Sequence, residues 1–263
     1  FKQKTAYEIY QCDWSSDVCS SDLLRHVSEA FCEDPVRILR LARFAARFPD
    51  FAVARETLAL CRQMVNCGEV DALVPERTWQ ELRRGLAEVN PVRMIEVLEE
   101  CGVWNRIFAD ISVTVRVREA LLRAAQRKLD TAQRTALLFA EFDDPVKLRQ
   151  RLQALRVDAD TISLCEIFCR LHHTLFTLHE AGDYVTFLEA ADVLRRPSRF
   201  ESFLATCAAF DPQIDFADLR LAARAFIETD AGAAARQAQG KNVAQAVRQA
   251  RLAAVKSALC HSL

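Results

Sequence analysis

Residues 33–48 of the chain read EDPVRILRLARFAARF, which is the pattern of a capped amphipathic helix. Asp34 stands at the N-cap position, and Pro35 follows at the first helical position, where its missing N–H breaks no hydrogen bond. Apolar residues recur at helical spacing, which predicts one buried face made of Ile38, Leu41, Ala45 and Phe48. Beside that face the spacing predicts a ladder of guanidinium groups from Arg37, Arg40, Arg43 and Arg47.

Taken alone, such a helix is typical of a protein surface with a solvated basic edge. Residues 33–40 also have the form Glu-Asp-x-x-Arg-x-x-Arg, and residues 24–31 before them read LRHVSEAF. In that context the motif resembles the nucleobase-selecting motif of bacterial tRNA nucleotidyltransferases, the CCA-adding enzymes of class II. The resemblance runs almost without interruption from residue 24 to about residue 111, and more loosely to the end of the chain.

The residue types suit that role. Cytosine and adenine each present an amino donor beside a ring-nitrogen acceptor on the pairing edge. Ionised Asp only accepts hydrogen bonds and Arg only donates them, so an Asp/Arg pair in one plane complements C and A and opposes G and U. The resemblance implies that Asp34 and Arg37 read the base in place of a nucleic-acid template. It further implies that Glu33 braces Arg37 and that Arg40 reaches toward base or phosphate.

The resemblance also implies ATP and CTP as substrates, tRNA as a partner, and Mg²⁺ held by carboxylates during nucleotidyl transfer. In the family these carboxylates form an Asp-x-Asp motif in an α/β head domain, beside a Gly-Ser motif. This sequence contains no Gly-Ser pair, and Asp158-Ala159-Asp160 has the pattern of a helix start rather than of a strand. We therefore assign no catalytic residue and no metal ligand, and we expect the chain by itself not to add CCA.

Further basic residues are candidates for contact with RNA or phosphate. Residues 75–81 read PERTWQE, and in the family a Pro-Glu-Arg-x-x-x-Glu stretch belongs to the neck that supports the base-reading helix. The candidates are Arg43, Arg77, Arg83 and Arg84. A solvated helix edge is the alternative for these arginines, and for Arg43 a structural role. Because the formal net charge is −1, any contact with RNA must come from local patches.

The chain is predicted to be all-α, since no alternating β pattern or Asn-Gly hairpin signal appears. Further helices are expected over residues 54–67, from Pro75, from Pro91 to about residue 101, and over residues 144–156, 158–178, 182–195, 198–209, 215–229 and 241–258. We expect a neck over residues 24–111, with the nucleobase-recognition and RNA-binding helices. A helical body and tail would occupy residues 112–263.

The body is expected to be a degenerate HD-like domain. Many bacterial members of the resembled family carry an HD phosphohydrolase domain, in which a His-Asp pair binds a divalent metal. Here Ala140-Glu141 stands where that pair would be, so we expect no metal site. The spacing of Cys165, Cys169 and either His172 or His173 is compatible with a metal site, but the apolar residues between them favour a packed helix.

The first residues have a different origin in our interpretation. Residues 2–9 (KQKTAYEI) and 14–23 (WSSDVCSSDL) resemble translations of a common short-read sequencing adapter. We therefore expect residues 1–23 to be an assembly artefact, irregular or disordered and outside the fold. The alternative is a genuine Ser/Asp-rich N-terminal extension.

Composition is in keeping with a cytoplasmic protein. The chain has 10 Cys without a Cys-x-x-Cys pair, and it has no apolar run long enough to span a membrane. The oligomeric state is not predicted. The expected function is that of part of a CCA-adding tRNA nucleotidyltransferase. One alternative is a fragment of the related bacterial poly(A) polymerase, whose basic C-terminal extension has no counterpart in this Ala-rich tail. The other is a non-catalytic helical RNA-binding or scaffold protein.

Overall fold

The structure is a computed structural model that describes residues 23–238 and 242–260. The prediction of an all-α fold is confirmed: the described residues form fourteen α-helices joined mostly by short turns. The N-terminal group consists of α1 (Val36–Arg47), α2 (Arg55–Asn66), α3 (Pro75–Ala87), α4 (Pro91–Glu100) and α5 (Val103–Ile107). The C-terminal group consists of α6 (Val115–Gln126), α7 (Thr131–Leu138), α8 (Pro145–Ala154), α9 (Ala159–Leu171), α10 (Ala181–Ala190), α11 (Pro197–Phe210), α12 (Ala217–Glu228), α13 (Ala231–Gln237) and α14 (Val243–Cys260).

The described part of the chain begins with a short parallel strand pair. Strand β1 (Leu23–Leu24) lies beside β2 (Ala52–Val53), and Leu24 is buried. The pair joins the segment before α1 to the segment after it. Leu23 therefore belongs to the fold, although we expected residues 1–23 to lie outside it, while residues 1–22 fall outside the described residues.

Helix α1 packs against α3 and α4. Three of the four residues expected on its buried face are in the core, with Ile38 and Ala45 at 0% exposure and Leu41 at 5%. Phe48 is the exception at 40% exposure, because the helix has ended at Arg47. The Phe48 ring packs against Phe51 instead, with the ring centroids 5.2 Å apart.

The helix boundaries of the N-terminal group follow the local sequence signals. Helices α3 and α4 begin at Pro75 and Pro91, as expected. The side chain of Asn90 caps α4 by accepting a hydrogen bond of 3.2 Å from the Arg93 N–H. Gly68 ends α2 with a positive φ of 81°, which only glycine adopts without strain.

The C-terminal group is built around a core of aromatic residues. Helices α7, α9 and α11 pack on one another, and α14 packs on α10 and α12. The ring of Phe168 in α9 meets Phe210 of α11 edge-on, with the centroids 5.5 Å apart. Among the described residues, none of the helices is both long and apolar enough to cross a membrane.

Two expected helices of this group are shorter in the structure, and three further helices lie outside the expected ranges. The helix expected over residues 182–195 ends at Ala190, since Asp192 takes a left-handed backbone conformation with φ 54°. The helix expected over residues 158–178 ends at Leu171, and a 3₁₀ turn from His173 to Thr177 follows it. The helices outside the expected ranges are α6, α7 and α13. The Asp230 side chain caps α13 by accepting a 2.9 Å hydrogen bond from the Ala233 N–H.

A buried arginine connects the two groups of helices. Arg134 of α7 is 6% exposed, and its Nη1 donates to the carbonyl oxygens of Leu86 at 2.7 Å and Glu88 at 2.8 Å. Its Nε donates to the carbonyl of Leu129 at 2.9 Å. Because the last carbonyls of a helix have no partner within the helix, Arg134 supplies the donors that the end of α3 needs. Nothing in the local sequence pattern indicated this role.

Candidate nucleobase-recognition site

The candidate site is built at the start of α1. Asp34 lies between a 3₁₀ turn (Glu29–Glu33) and α1, with an extended backbone, and its Oδ1 accepts a 3.1 Å hydrogen bond from the Val36 N–H. Pro35 has helical backbone angles, and the Arg37 N–H donates to the Asp34 carbonyl at 2.9 Å. Helix α1 thus begins one residue later than the sequence indicated, with Pro35 at the N-cap position, and the Asp34 carboxylate is held at the helix entrance by the Val36 N–H.

The second carboxylate oxygen of Asp34 is bound by an arginine from another helix. Nη2 of Arg77, near the start of α3, donates to Asp34 Oδ2 at 2.6 Å. Desolvation raises the pKa of Asp34, but the hydrogen bonds from Arg77 and the Val36 N–H outweigh it, so that the pKa lies below its ordinary value. Asp34 is therefore an ionised, acceptor-only group at neutral pH.

Arg37 is held from the preceding turn. Its Nη1 donates to the carbonyl oxygen of Ala30, and its Nη2 lies 3.9 Å from Glu33 Oε2. Glu33 is thus within ion-pair distance of Arg37, while the backbone carbonyl is the closer partner. Within the described residues no hydrogen bond or ion pair joins the side chain of Asp34 to the side chain of Arg37, although both lie at the entrance of α1.

A buried carboxylate supports the arginine ladder of α1. The side chain of Glu81 in α3 is 5% exposed, and its Oε2 lies 2.8 Å from Arg43 Nε. Its Oε1 lies 3.4 Å from Arg40 Nε and 3.5 Å from Arg84 Nη1. A carboxylate buried to this extent requires opposite charges as partners. Glu81 therefore holds the two middle arginines of the ladder, Arg40 and Arg43, against α3.

Glu81 was not among the site residues that we singled out. The available signal was its place as the last residue of the Pro-Glu-Arg-x-x-x-Glu stretch at residues 75–81. Of the basic residues proposed for RNA or phosphate, Arg77 forms an ion pair with Asp34, and Arg43 and Arg84 form ion pairs with Glu81. Arg83 is exposed on α3.

The residues weighed for metal binding lie elsewhere in the fold. Glu141 follows α7 and accepts a 2.9 Å hydrogen bond from Thr114 Oγ1. Cys165 and Cys169 are buried, which raises the pKa of both thiols, that of Cys169 to about 11. His172 Nδ1 donates to the carbonyl of Phe168 at 2.9 Å, and its ring stacks on the Phe168 ring with the centroids 4.5 Å apart.

These side chains make packing and backbone contacts. Over residues 23–238 and 242–260, no three or more His, Cys, Asp or Glu side chains are grouped so that they could hold a metal ion. The described residues therefore do not fit the Mg²⁺ that the resemblance implies, and no chemical step is assigned to a metal here.

Comparison with known proteins places this chain among RNA-processing proteins. Residues 50–113 match a family described as "Probable RNA and SrmB- binding site of polymerase A". The CCA-adding enzyme of Bordetella pertussis is 42% identical over 238 residues, which are 90% of this chain and 64% of that enzyme. The multifunctional CCA protein of Burkholderia multivorans is 39% identical over 284 aligned residues, covering 90% of this chain and 69% of that protein.

Among solved structures, the complex of a CCA-adding enzyme with CTP has a similar fold. The TM-score is 0.64 at 18% sequence identity, and the match covers 89% of this chain and 59% of that chain. At this identity the likeness shows the fold alone. In the sequence comparison, this chain spans 64% of the length of the Bordetella pertussis enzyme.

Proposed function

The chain belongs to the family of bacterial CCA-adding enzymes, and from that premise we propose that it supplies base selection and tRNA binding for the addition of C and A to tRNA 3′ ends. We assign residues 24–111 to the neck with the base-reading helix, and residues 112–263 to a degenerate HD-like body and tail. The substrates of the complete reaction are CTP and ATP. We place the protein in the cytoplasm, where tRNA and nucleotides meet.

The observation that carries this proposal is the state of the Asp34 carboxylate. An ionised carboxylate can accept about four hydrogen bonds, and the bonds from Arg77 and the Val36 N–H leave lone pairs for a base amino group. Cytosine and adenine both offer such a group, whereas uracil and guanine present a carbonyl at that position of the pairing edge. Asp34 would therefore favour C and A.

Arg37 supplies the complementary donor in this proposal. A guanidinium group has five N–H donors, and the contacts with Ala30 and Glu33 do not use all of them. A remaining N–H would donate to the ring nitrogen of cytosine or adenine. Arg40, 31% exposed and anchored on Glu81, would lie close to base or phosphate. In the family Mg²⁺ supplies charge neutralisation at the triphosphate, and no residue of this chain is given that task.

An enzymatic experiment tests base selection. Residues 24–263 of this chain would replace the matching region of the Bordetella pertussis enzyme, and we call the product the hybrid enzyme. We expect it to incorporate CMP and AMP into tRNA that lacks its 3′ end, and to discriminate against UTP and GTP. Because an amide both donates and accepts, Asp34→Asn should reduce the preference for CTP over UTP at least about tenfold.

Two results would contradict the proposal. One is an Asp34→Asn hybrid enzyme that keeps its full preference for CTP over UTP. The other is an unaltered chain that shows no affinity for tRNA in a binding titration, since the neck and body are proposed to bind it.

Poly(A) polymerase is the second candidate, because the matched family is described by the RNA-binding site of polymerase A. It predicts a different nucleotide preference. A hybrid enzyme that adds long runs of AMP and no CMP would support it over the first proposal.

A further inference from the structure

Three arginines, Arg170, Arg196 and Arg199, lie where α9, the end of α10 and the start of α11 meet, and the exposed Arg195 precedes Arg196 in the chain. Within the described residues none of them forms an ion pair with a carboxylate. Glu166, on α9, is already bound by Arg149, whose Nη2 lies 2.7 Å from Glu166 Oε2. The cluster therefore carries positive charge that its surroundings do not fully balance.

Two of these arginines converge on a neutral hydroxyl group. Arg196 Nη1 donates to Ser163 Oγ at 2.9 Å, and Arg199 Nη1 donates to the same oxygen at 2.8 Å. Both lone pairs of the hydroxyl are then used, which leaves its O–H as a donor. No acceptor for that O–H is present among the described residues. The two guanidinium groups thus share a neutral acceptor, and among the described residues no carboxylate forms an ion pair with either of them.

The pKa of Arg199 reflects these neighbouring charges. Its pKa is lowered by burial and by the neighbouring Arg196 and Arg170, which outweigh the attraction of Asp192 and Glu166. Its Nε is a buried donor without a hydrogen-bond partner. Like charges at short range and an unpaired buried donor are both relieved when an anion binds.

Helix capping accounts for only part of the cluster. Arg170 Nη2 donates to the Ala190 carbonyl at 2.7 Å, and Arg199 Nη2 donates to the Ala191 carbonyl at 2.8 Å. Cations at the C-terminal end of α10 are stabilising. Neither Arg195 nor Arg196 takes part in this capping, and both are exposed.

We propose that Arg196, Arg199 and the Ser163 hydroxyl bind a phosphate group of the RNA backbone, with Arg170 and Arg195 adding charge at the rim. Paired guanidinium groups match the oxygens of a phosphate. The exposed position of Arg195 and Arg196 favours a polyanion that passes over the surface rather than a small enclosed ligand. That the RNA is tRNA rests on the function proposed above.

Binding of tRNA to the full chain, measured over a range of salt concentrations, tests this site. We expect R195Q/R196Q to raise the Kd for tRNA about tenfold and to reduce the slope of log K against log salt by about 1 to 2. S163D, which places a carboxylate between the two guanidinium groups, should give a similar loss while it keeps every arginine. Circular dichroism would show whether each variant is folded.

A matched control is available on α12. Arg220 and Arg224 are exposed as well, but they pair with Glu201 at 3.1 Å and Glu228 at 2.9 Å. R220Q/R224Q should change the Kd less than twofold. The proposal is overturned if the unaltered chain binds tRNA and R195Q/R196Q and S163D bind it equally well, or if the control loses as much affinity.

A second readout separates the site from the proposed function. Phenylglyoxal modifies accessible arginines, and mass spectrometry resolves each position. We expect tRNA to protect Arg196 and not Arg220. If the unaltered chain binds no tRNA, the proposed function fails. Phenylglyoxal modification in the presence of inorganic phosphate, at constant ionic strength, then shows whether phosphate protects Arg196. Protection by inorganic phosphate without protection by tRNA overturns the assignment to RNA, and protection by neither overturns the site.

Discussion

Arg77 and Asp34, which are 43 residues apart in the chain, are joined by a hydrogen bond of 2.6 Å between Nη2 and Oδ2. The bond connects the entrance of α1 to α3 and helps to keep Asp34 ionised. Arg77 is thus in a position to set the protonation state and the direction of the carboxylate that we propose reads the base. It would do so as a positioning residue, through Asp34.

Replacement of Arg77 by Met should change the pH profile of base selection. Without Arg77 the pKa of Asp34 rises, and a protonated Asp34 has lost acceptor capacity for the base amino group. We expect the acid limb of CTP incorporation by the hybrid enzyme to move to higher pH. Arg77→Lys should restore part of the shift. Arg83→Met, on the same helix, is the control, and superimposable profiles for the Arg77 and Arg83 variants would contradict the assignment.

Replacement of Glu81 by Gln should destabilise the fold. Glu81 is buried beneath Arg40, Arg43 and Arg84, and the change leaves three guanidinium groups without their shared carboxylate. Since these arginines are partly exposed, we expect a loss of about 2 kcal/mol in the free energy of unfolding, less than for a fully buried pair. Urea denaturation followed by circular dichroism measures it.

A control for the Glu81 variant lies on the same helix. Glu76 pairs with Arg156 at 3.2 Å, and both side chains are more than half exposed. Glu76→Gln should therefore cost less than about 0.5 kcal/mol. Equal losses for the two variants would mean that burial of Glu81 adds nothing to its ion pairs.

Replacement of Arg134 by Met should weaken the connection between α3 and α7. The change keeps the apolar stem but leaves the buried carbonyl oxygen of Leu86 and the partly buried carbonyl oxygen of Glu88 without their donor. We expect a loss of about 2 to 3 kcal/mol by urea denaturation, with a smaller loss for Arg134→Lys. Arg127 donates one exposed 2.8 Å hydrogen bond to the Ala208 carbonyl, so Arg127→Met should have little effect. A stable Arg134→Met variant would show that water replaces the lost donors.

His172 should make the fold sensitive to mild acid. Burial is the main cause that lowers the pKa of His172 to about 4, against 6.5 for the free side chain. The unfolded chain therefore binds a proton between pH 6.5 and pH 4 that the folded chain does not, so stability falls as the pH falls through this range. The loss should approach about 3 kcal/mol near pH 4.

The contribution of His172 is isolated by substitution. His172→Phe keeps the aromatic packing on Phe168 and removes the titrating group. Its stability should change less between pH 7 and pH 5 than that of the unaltered chain. His179 is exposed, so a substitution of His179 is the control. Equal pH dependence of the unaltered chain and His172→Phe would contradict the argument.

Much of the fold followed from local sequence signals. Pro35, Pro75 and Pro91 each mark a helix start, and Gly68 marks a helix end, because these signals act within one turn of backbone. The expected positions of α8, α11, α12 and α14 also agree with the structure within a few residues. Helix α10 ended earlier than its apolar pattern indicated, since the left-handed Asp192 stops the helix.

Only part of the candidate site could be predicted from the sequence. The Glu-Asp-x-x-Arg-x-x-Arg motif indicated Asp34 and Arg37, and their proposed roles stay predictions. The partners that hold the site, Arg77 for Asp34 and Glu81 for Arg43, come from a different helix. Local spacing cannot show such contacts, because they depend on how α3 lies across α1.

The sequence by itself therefore determined that the chain is all-α, where most of its helices begin, and which motif to consider for base recognition. The tertiary structure alone decided which charges meet. It joins Arg77 to Asp34 and pairs the buried Glu81 with three arginines. It also directs Arg196 and Arg199 to the hydroxyl oxygen of Ser163. The physical reason is that helix propensity and capping act between neighbours in the chain, whereas burial and ion pairing depend on the packing of distant segments.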